Sequence, residues 1–170
     1  MGFFDFLKGD KRTFDTKDVS ELIENLREER DRPTRKAAEE ALVRKGKSAV
    51  YSLIGALNDN DWRVREGCVR ALGQIGDERA VPHLIQLFRD KKTRVQLWAT
   101  DALILIGKNA VEPLTTALQD TDRRVRMGAI VALGEIQDAR AVAALKELLK
   151  DTDEEIRSAA QDAIDYIQEK

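Results

Sequence analysis

A sequence pattern of about 31 residues recurs along most of this chain, and the recurrence limits the folds open to it. The pair Ala-Val returns four times, and successive pairs are 31, 30 and 31 residues apart. Each copy continues, at nearly fixed offsets, with an apolar pair, a β-branched residue and an Ala-Leu or Ala-Ile pair. A weaker copy precedes these and contains Leu22, Leu26 and Ala38. A fixed period of this length is typical of proteins built from stacked structural units.

Each copy predicts two helices. In the second copy, apolar residues recur every three or four positions from Val50 to Leu57 and again from Val64 to Ile75, which is the spacing of one helix face. Asp61 lies just before the second run, where its carboxylate can accept hydrogen bonds from the free N–H groups that begin a helix. Since one such pair cannot bury its apolar faces alone, the copies must stack.

We therefore predict an all-α fold, an α-solenoid of about five helix pairs. Residues 18–170 form one repeat domain in this interpretation, and residues 1–17 form a separate N-terminal segment. The predicted units span about 18–48, 49–79, 80–109, 110–140 and 141–170.

Residues 49–79 carry the repeat in its most regular form: Ala-Val, Leu-Ile, two turn aspartates, Val-Arg, Ala-Leu-Gly and a closing Gly-Asp-x-Arg. This pattern resembles the HEAT-like repeat of the phycobilisome-lyase type, and the resemblance covers residues 18–170. It implies a solenoid of HEAT-like helix pairs, an armadillo-like superhelix. Its implications for function are broader, because such repeats occur in bilin lyases, in iron-dependent protein hydroxylases and in binding scaffolds.

The residue types that most enzyme and metal sites need are scarce. The chain has one His and one Cys, and the hydroxylases that it resembles hold their metals with several His-Glu pairs. Cys68 takes a core-facing position that alanine fills in other copies, which favours packing over nucleophilic chemistry. The sequence has no Gly-rich phosphate loop, nucleophile elbow or zinc-type spacing. We therefore predict a protein that is not an enzyme and has no catalytic residues, metal or cofactor.

Charge and hydropathy argue against nucleic acid and membrane spans. The 29 Lys and Arg residues are offset by 31 Asp and Glu residues, for a net charge of −2, so no basic field for nucleic acid is expected. Turn arginines such as Arg63 and Arg124 alternate with aspartates that cancel most of their field. No apolar run reaches the length of a membrane span. A single cysteine cannot form an intramolecular disulfide, and we predict a monomeric cytoplasmic protein.

Most copies carry an aspartate in the turn and an arginine on the second helix. Because so many copies have both, we predict that they form a ladder of bonds between neighbouring units. The aspartates are Asp59, Asp90, Asp120 and Asp151, and the arginines are Arg35, Arg65, Arg126 and Arg157.

Residues that differ between copies are the better candidates for a binding site. Placing the second helices at about 100° per residue gives an outer face that is polar in the end copies and apolar in the third and fourth. The third copy departs most, since Lys92 replaces a capping Asp and Gln96 replaces the second-helix Arg of the ladder. Second helices line the concave face of a solenoid, and exposed apolar surface with a polar rim is typical of a partner site. The predicted partner-binding residues are Trp62, Arg70, Leu97, Trp98, Asp101, Ile104, Arg123, Met127, Ile130 and Val131.

Two features of the sequence each allow two interpretations. Trp98 stands where other copies have Gly or Ala, so its ring either is exposed or fills the space over neighbouring glycines. The N-terminal segment holds Phe3, Phe4 and Phe6 ahead of a charged stretch. These rings either cap the exposed end of the first unit or make a weak contact with a membrane or a partner.

The function that these patterns favour is a non-catalytic protein-interaction scaffold. It would bind a helix or extended segment of a protein partner on the concave second-helix face. The resemblance implies an alternative: a bilin-lyase-like subunit or chaperone that holds an apolar ligand such as a tetrapyrrole on the same face. Bilin lyases of this type are usually longer and work as paired subunits, so this chain would need a partner subunit for that role.

Overall fold

The structure, a computed structural model, describes residues 14–28 and 31–169, and its regular elements within these ranges are all helical. A short helix is followed by a longer one five times in the described residues, which confirms the predicted α-solenoid of helix pairs. The pairs are α1 (Val19–Glu24) with α2 (Arg32–Lys45), α3 (Val50–Ala56) with α4 (Trp62–Ile75), α5 (Val81–Gln86) with α6 (Thr93–Ile106), α7 (Val111–Ala117) with α8 (Arg123–Ile136), and α9 (Val142–Glu147) with α10 (Glu154–Gln168).

The helices belong to two compact units. The described residues up to Asp77 form an N-terminal unit with α1 to α4, and those from Glu78 onward form a C-terminal unit with α5 to α10. The division falls beside the predicted junction between the second and third repeats. Each unit therefore contains whole helix pairs, as expected of a protein whose stability comes from contacts between neighbouring repeats.

The apolar stripes that predict the helix pairs form the cores of the two units. In the second pair, Val50 and Leu53 of α3 and Val64, Cys68 and Leu72 of α4 are completely buried. Most residues of the equivalent stripes in the other pairs are buried as well. None of the helices in the described ranges combines the length and the apolar character needed to cross a membrane.

Aspartates begin most of the second helices, as the sequence predicts. The side chains of Asp61, Asp122 and Asp153 accept hydrogen bonds of 2.9 Å from backbone N–H groups two residues further on. Helix α6 is different, because Lys92 precedes it and makes no side-chain cap. The start of α6 therefore lacks a bond that contributes about 1 kcal/mol in a typical helix.

Four of the five second helices in the described ranges end at a residue with positive φ. Gly46, Gly76 and Gly107 have φ values of 60°, 70° and 70° at the ends of α2, α4 and α6. At the end of α8 the left-handed conformation falls instead on Gln137, with φ of 54° and ψ of 43°. A side chain in this conformation costs roughly 1 kcal/mol, which glycine avoids.

The second-helix arginines close the turn of their own repeat. Nη1 of Arg65, Arg126 and Arg157 donates to the carbonyl of the turn aspartate six residues earlier, at 2.7, 3.0 and 2.8 Å. In the third pair, Gln96 Nε2 donates to the Asp90 carbonyl at 2.6 Å. The Gln substitution therefore keeps this bond and gives up the charge.

Bonds between neighbouring repeats occur as predicted, and some of them have donors from a different place. Arg126 Nε lies 3.0 Å from Asp151 Oδ2 of the next repeat, as the ladder requires. Two other turn aspartates are bound by arginines in the short turns that follow the first helices, and these arginines are not part of the predicted ladder. These pairs are Arg27 with Asp59 and Arg89 with Asp120, each with an N–O distance of 2.6 Å.

Only the end of the N-terminal segment is described, at residues 14–17. Phe14 is buried, and Asp15 Oδ1 lies 2.7 Å from Arg44 Nε on α2. The predictions for the three phenylalanines near the start of the chain concern residues outside the described ranges.

Candidate functional site

A pocket of about 550 Å³ opens on the second helices of the C-terminal unit, between α6 and α8. Its apolar lining comes from these helices and from the turn after α5, and its rim is charged. A concave site with apolar walls and a few polar groups is the usual form of a binding site. It is lined by Phe88, Gln96, Leu97, Thr100, Asp101, Ile104, Arg123, Arg124, Met127, Gly128, Val131 and Glu135.

The floor of the pocket is an aromatic ring against a glycine. Phe88, in the turn after α5, is 2% exposed and lies against Gly128 of α8. A Cβ atom added to Gly128 would lie 2.7 Å from two ring carbons, closer than carbon atoms pack. In the N-terminal unit, a Cβ added to Gly67 would similarly lie 2.8 Å from a methyl carbon of Leu26. Glycine at this position therefore lets a side chain of the preceding repeat reach the second helix.

The walls of the pocket are apolar side chains that remain open to solvent. Leu97 of α6 is 62% exposed and Val131 of α8 is 45% exposed, while Ile104 and Met127 are half-buried. Leu97 and Ile104 are seven residues apart, and Met127 and Val131 are four apart, so each pair lies on one face of its helix. The two pairs therefore present a continuous apolar surface on either side of Phe88.

Both arginines at the rim are held by carboxylates of the same unit. Arg123 Nε lies 2.5 Å from Asp153 Oδ2, and its Nη2 also bonds Glu155. Arg124 Nη2 lies 2.8 Å from Asp122 Oδ2. The hydrogen bond from Arg124 lowers the pKa of Asp122 to about 2, so this pair stays charged over the physiological range. The positive charges of the rim are thus largely neutralised within the protein.

The two acidic residues at the rim differ from the arginines in their lack of a charged partner within the described residues. Asp101 of α6 and Glu135 of α8 are exposed. Their side chains make no ion pair or hydrogen bond with any residue in the described part of the chain. Since the neighbouring arginines are already paired, the charge that the pocket offers to a ligand is negative.

The structure brings six of the ten predicted site residues together around this pocket. They come from α6 and α8, the two second helices in which the sequence predicts an apolar face. These six are Leu97, Asp101, Ile104, Arg123, Met127 and Val131.

The prediction that Ile130 lies on the binding face is wrong. Ile130 is 1% exposed and belongs to the core. Its flank of α8 also carries Gly134, where an added Cβ would lie 3.2 Å from Ala163 Cβ of α10. Helix α8 has second helices on both sides, α6 and α10. The part of the α8 surface that is open to solvent is therefore narrower than the sequence prediction, which treats the helix as isolated, assumes.

The other three predicted residues lie elsewhere. Trp98 is half-buried and is not among the residues that line the pocket. Trp62 and Arg70 belong to the N-terminal unit. Trp62 lies beside the Arg63 guanidinium, which is 5.5 Å from the ring centre.

Arg70 is part of a partly buried polar cluster in the N-terminal unit. Its Nε lies 3.2 Å from Glu39 Oε1, its Nη1 lies 3.8 Å from Glu66 Oε1, and Gln74 Nε2 donates to Glu39 at 3.1 Å. Both carboxylates are buried. Burial raises the pKa of Glu39, and the charge of Arg70 opposes that rise. Arg70 is therefore held by ion pairs within the N-terminal unit.

Several pocket residues were missed by the sequence analysis. Phe88 is the second member of the apolar pair of the third copy, and the repeat pattern does not show that its ring reaches the second helices. Gly128 lies 40 residues further along the chain, and its equivalence to Gly67 was the available signal for a close contact at this position. Arg124 and Glu135 are not among the residues that the sequence predicts for the binding face.

The remaining chemistry-bearing residues lie apart from the pocket. Cys68 is buried, and burial raises the pKa of its thiol, which disfavours the reactive thiolate. His83 is exposed on α5. Among the residues that the structure describes, no group of three or more His, Cys, Asp or Glu side chains is placed to hold a metal ion.

Comparisons with solved structures agree with this fold. The complex of CpcE and CpcF of phycocyanin lyase from Nostoc sp. PCC7120 is 25% identical with a TM-score of 0.58, and the match covers 85% of this chain and 96% of that chain. A chain of the complex of Kap95p with RanGDP is 17% identical with a TM-score of 0.50, over 94% of this chain and 25% of that chain. This second likeness shows the fold alone.

Comparisons with families and curated proteins give a family but no close relative. None of the curated proteins matches the chain. A family model for HEAT repeats matches residues 19–104 and 94–165, which together are most of the chain. The repeats counted in the sequence and the helix pairs of the structure are thus HEAT repeats, and the chain belongs to the HEAT repeat family.

Proposed function

We propose that this protein is a non-catalytic interaction scaffold that holds a helix or extended segment of a partner protein in the pocket between α6 and α8. The observation that carries this proposal is the exposed apolar surface of Leu97 and Val131 beside the Phe88 floor, with charged groups at the rim. Apolar side chains at the centre of a patch and polar groups around it are typical of protein-protein interfaces.

The polar groups of the pocket favour binding over catalysis. Gln96 donates to the Asp90 carbonyl and Thr100 Oγ1 donates to the Gln96 carbonyl, at 2.6 and 3.2 Å. These bonds stabilise the local backbone. A nucleophile and a general base within hydrogen-bond distance of each other are the usual requirement of covalent catalysis, and the pocket lining offers exposed carboxylates and paired arginines instead.

Two leucines on one helix provide a matched test. Leu97 is 62% exposed and lines the pocket, whereas Leu105 is 64% exposed on the same helix and does not line it. The protein and its Leu97→Ser, Val131→Ser and Leu105→Ser variants would each be used as bait in a lysate of the source cells. We expect one partner to be retained by the protein and by Leu105→Ser and lost from the two pocket variants. Equal retention by all four baits would contradict the proposal.

A second candidate function has support from one comparison. The likeness to the phycocyanin lyase complex reaches 25% identity over 96% of that chain. On this basis the protein would be a bilin-lyase-like subunit or chaperone, with a partner subunit, and the same pocket would hold a tetrapyrrole. Visible absorbance retained by the purified protein and lost on Leu97→Ser would favour this candidate. Purification without pigment from cells that make tetrapyrroles would count against it.

A further inference from the structure

We infer that the pocket selects a cationic partner: a short amphipathic helix with apolar side chains on one face and Lys or Arg beside them. This inference rests on the proposed function and adds the chemistry of the partner to it. It comes from the charges of the rim and from the dimensions of the walls.

The charges of the rim predict the sign of the partner. Four charged residues line the pocket, and the two arginines among them are paired with Asp122, Asp153 and Glu155. The two carboxylates, Asp101 and Glu135, have no partner among the residues that the structure describes. An incoming Lys or Arg gains two unpaired carboxylates, whereas an incoming Asp or Glu meets arginines that would first have to leave their partners.

The next second helix, α10, carries further exposed carboxylates. On α10, Glu154 and Asp162 are exposed and, within the described ranges, carry no ion pair or hydrogen bond through their side chains. A cationic segment that reaches beyond Val131 therefore meets further negative charge. Opposite charge at the rim raises the rate of encounter and discriminates between partners.

The length of the pocket walls predicts that the partner helix has two to three turns. The lining residues run from Gln96 to Ile104 on α6 and from Arg123 to Glu135 on α8, which at 1.5 Å per residue is about 12 and about 18 Å. A partner helix of this length has apolar residues three, four and seven positions apart on one face. That spacing matches the two apolar pairs of the walls, which lie on either side of the floor.

The probes for a test are synthetic amphipathic peptides of about 12 residues, roughly three helical turns. One combines Leu with Lys, and two others keep the same Leu positions with Glu or Gln in place of Lys. Binding of each labelled peptide would be followed by fluorescence anisotropy at low and at physiological ionic strength. We expect the Lys peptide to bind best, with an affinity that falls as salt is added.

The matched variants separate the pocket from the overall charge. Asp101→Asn and Glu135→Gln should each weaken binding of the Lys peptide by about 1.5- to 5-fold, the range for exposed ion pairs. The control is Glu112→Gln, which changes the net charge as much as either pocket variant does, at an exposed position on α7. This control should leave the affinity unchanged.

Two results would overturn the inference and are distinguishable from failure of the proposed function. Equal weakening by the pocket variants and the control would mean that the Lys peptide binds through overall charge. Binding of the Glu or Gln peptide as tight as that of the Lys peptide, with loss on Leu97→Ser, would refute the charge preference and leave the pocket as a binding site. If Leu97→Ser and Val131→Ser changed the affinity of none of the peptides, the inference and the proposed function would both fail.

Discussion

Two helical glycines of this protein predict opposite effects of the same substitution. Gly55 of α3 has no atom within 4 Å of the place that a Cβ would take. Gly55→Ala should therefore raise the free energy of unfolding by about 0.5–1 kcal/mol through helix propensity alone. At Gly128 a new Cβ would lie 2.7 Å from two carbons of the Phe88 ring and 2.8 Å from a third.

The loss of stability expected for Gly128→Ala follows from this contact. The separation is about 1 Å shorter than the optimum for two carbon atoms, and the ring is rigid where a flexible chain end would yield. Overpacking in a core lowers the free energy of unfolding by about 1–3 kcal/mol, and three close atoms place this case in the upper half of that range. Helix propensity offsets about 1 kcal/mol of it. Gly128→Ala should therefore lower the free energy of unfolding by about 1–2 kcal/mol.

Urea unfolding followed by circular dichroism measures both variants. Adding Phe88→Ala provides the decisive comparison, because removal of the ring should abolish the destabilising effect of Gly128→Ala, with a coupling of about 2–3 kcal/mol, the size of the overpacking cost. Stabilisation by Gly128→Ala equal to that by Gly55→Ala would refute the contact between Phe88 and Gly128. An unchanged loss of stability in the Phe88→Ala background would refute it as well.

Three further predictions concern stability. Gln137→Gly should raise the free energy of unfolding by about 1 kcal/mol, because the left-handed conformation at the end of α8 then carries no side chain; an unchanged urea midpoint would contradict the conformation of Gln137. Lys92→Asp should supply the missing cap of α6 and stabilise by about 0.5–2 kcal/mol in the same assay, while Lys91→Asp, one residue earlier, serves as the control with the same charge change. Burial raises the pKa of Glu39, so the folded protein holds this proton more tightly than the unfolded chain, and the contribution of Glu39 to stability is lost as the pH rises through its folded pKa. Glu39→Gln should flatten this part of the dependence of melting temperature on pH, and an identical slope in the variant would contradict the burial of a charged Glu39.

The fold could be predicted from sequence because the information that specifies it is local and repeated. Each copy carries its own helix stripes and most copies carry a capping aspartate, so a single weak copy does not alter the interpretation. The departures of the third copy were also visible, and Lys92 does leave α6 without a cap. The consequence for Gln96 was less clear from sequence, because its amide replaces the hydrogen bond of an arginine at 2.6 Å.

The candidate site was only partly predictable, because it depends on contacts between repeats. A helical wheel treats α8 as isolated, yet α10 approaches it at Gly134, and Ile130 on the same flank is 1% exposed. The rim charges depend on partners about 30 residues away: Arg123 is paired with Asp153. Composition cannot distinguish such a paired arginine from a free one, and the negative character of the pocket follows only when the pairs are known.

The central claim is that the pocket between α6 and α8 is the surface that holds the partner. A photo-reactive amino acid placed at position 97 or at position 105 tests it most directly, since the two leucines are almost equally exposed on one helix, at 62% and 64%. After irradiation in the source cells, we predict one crosslinked partner from position 97 and little or none from position 105. Equal crosslinking from both positions, or crosslinking from position 105 alone, would contradict the claim.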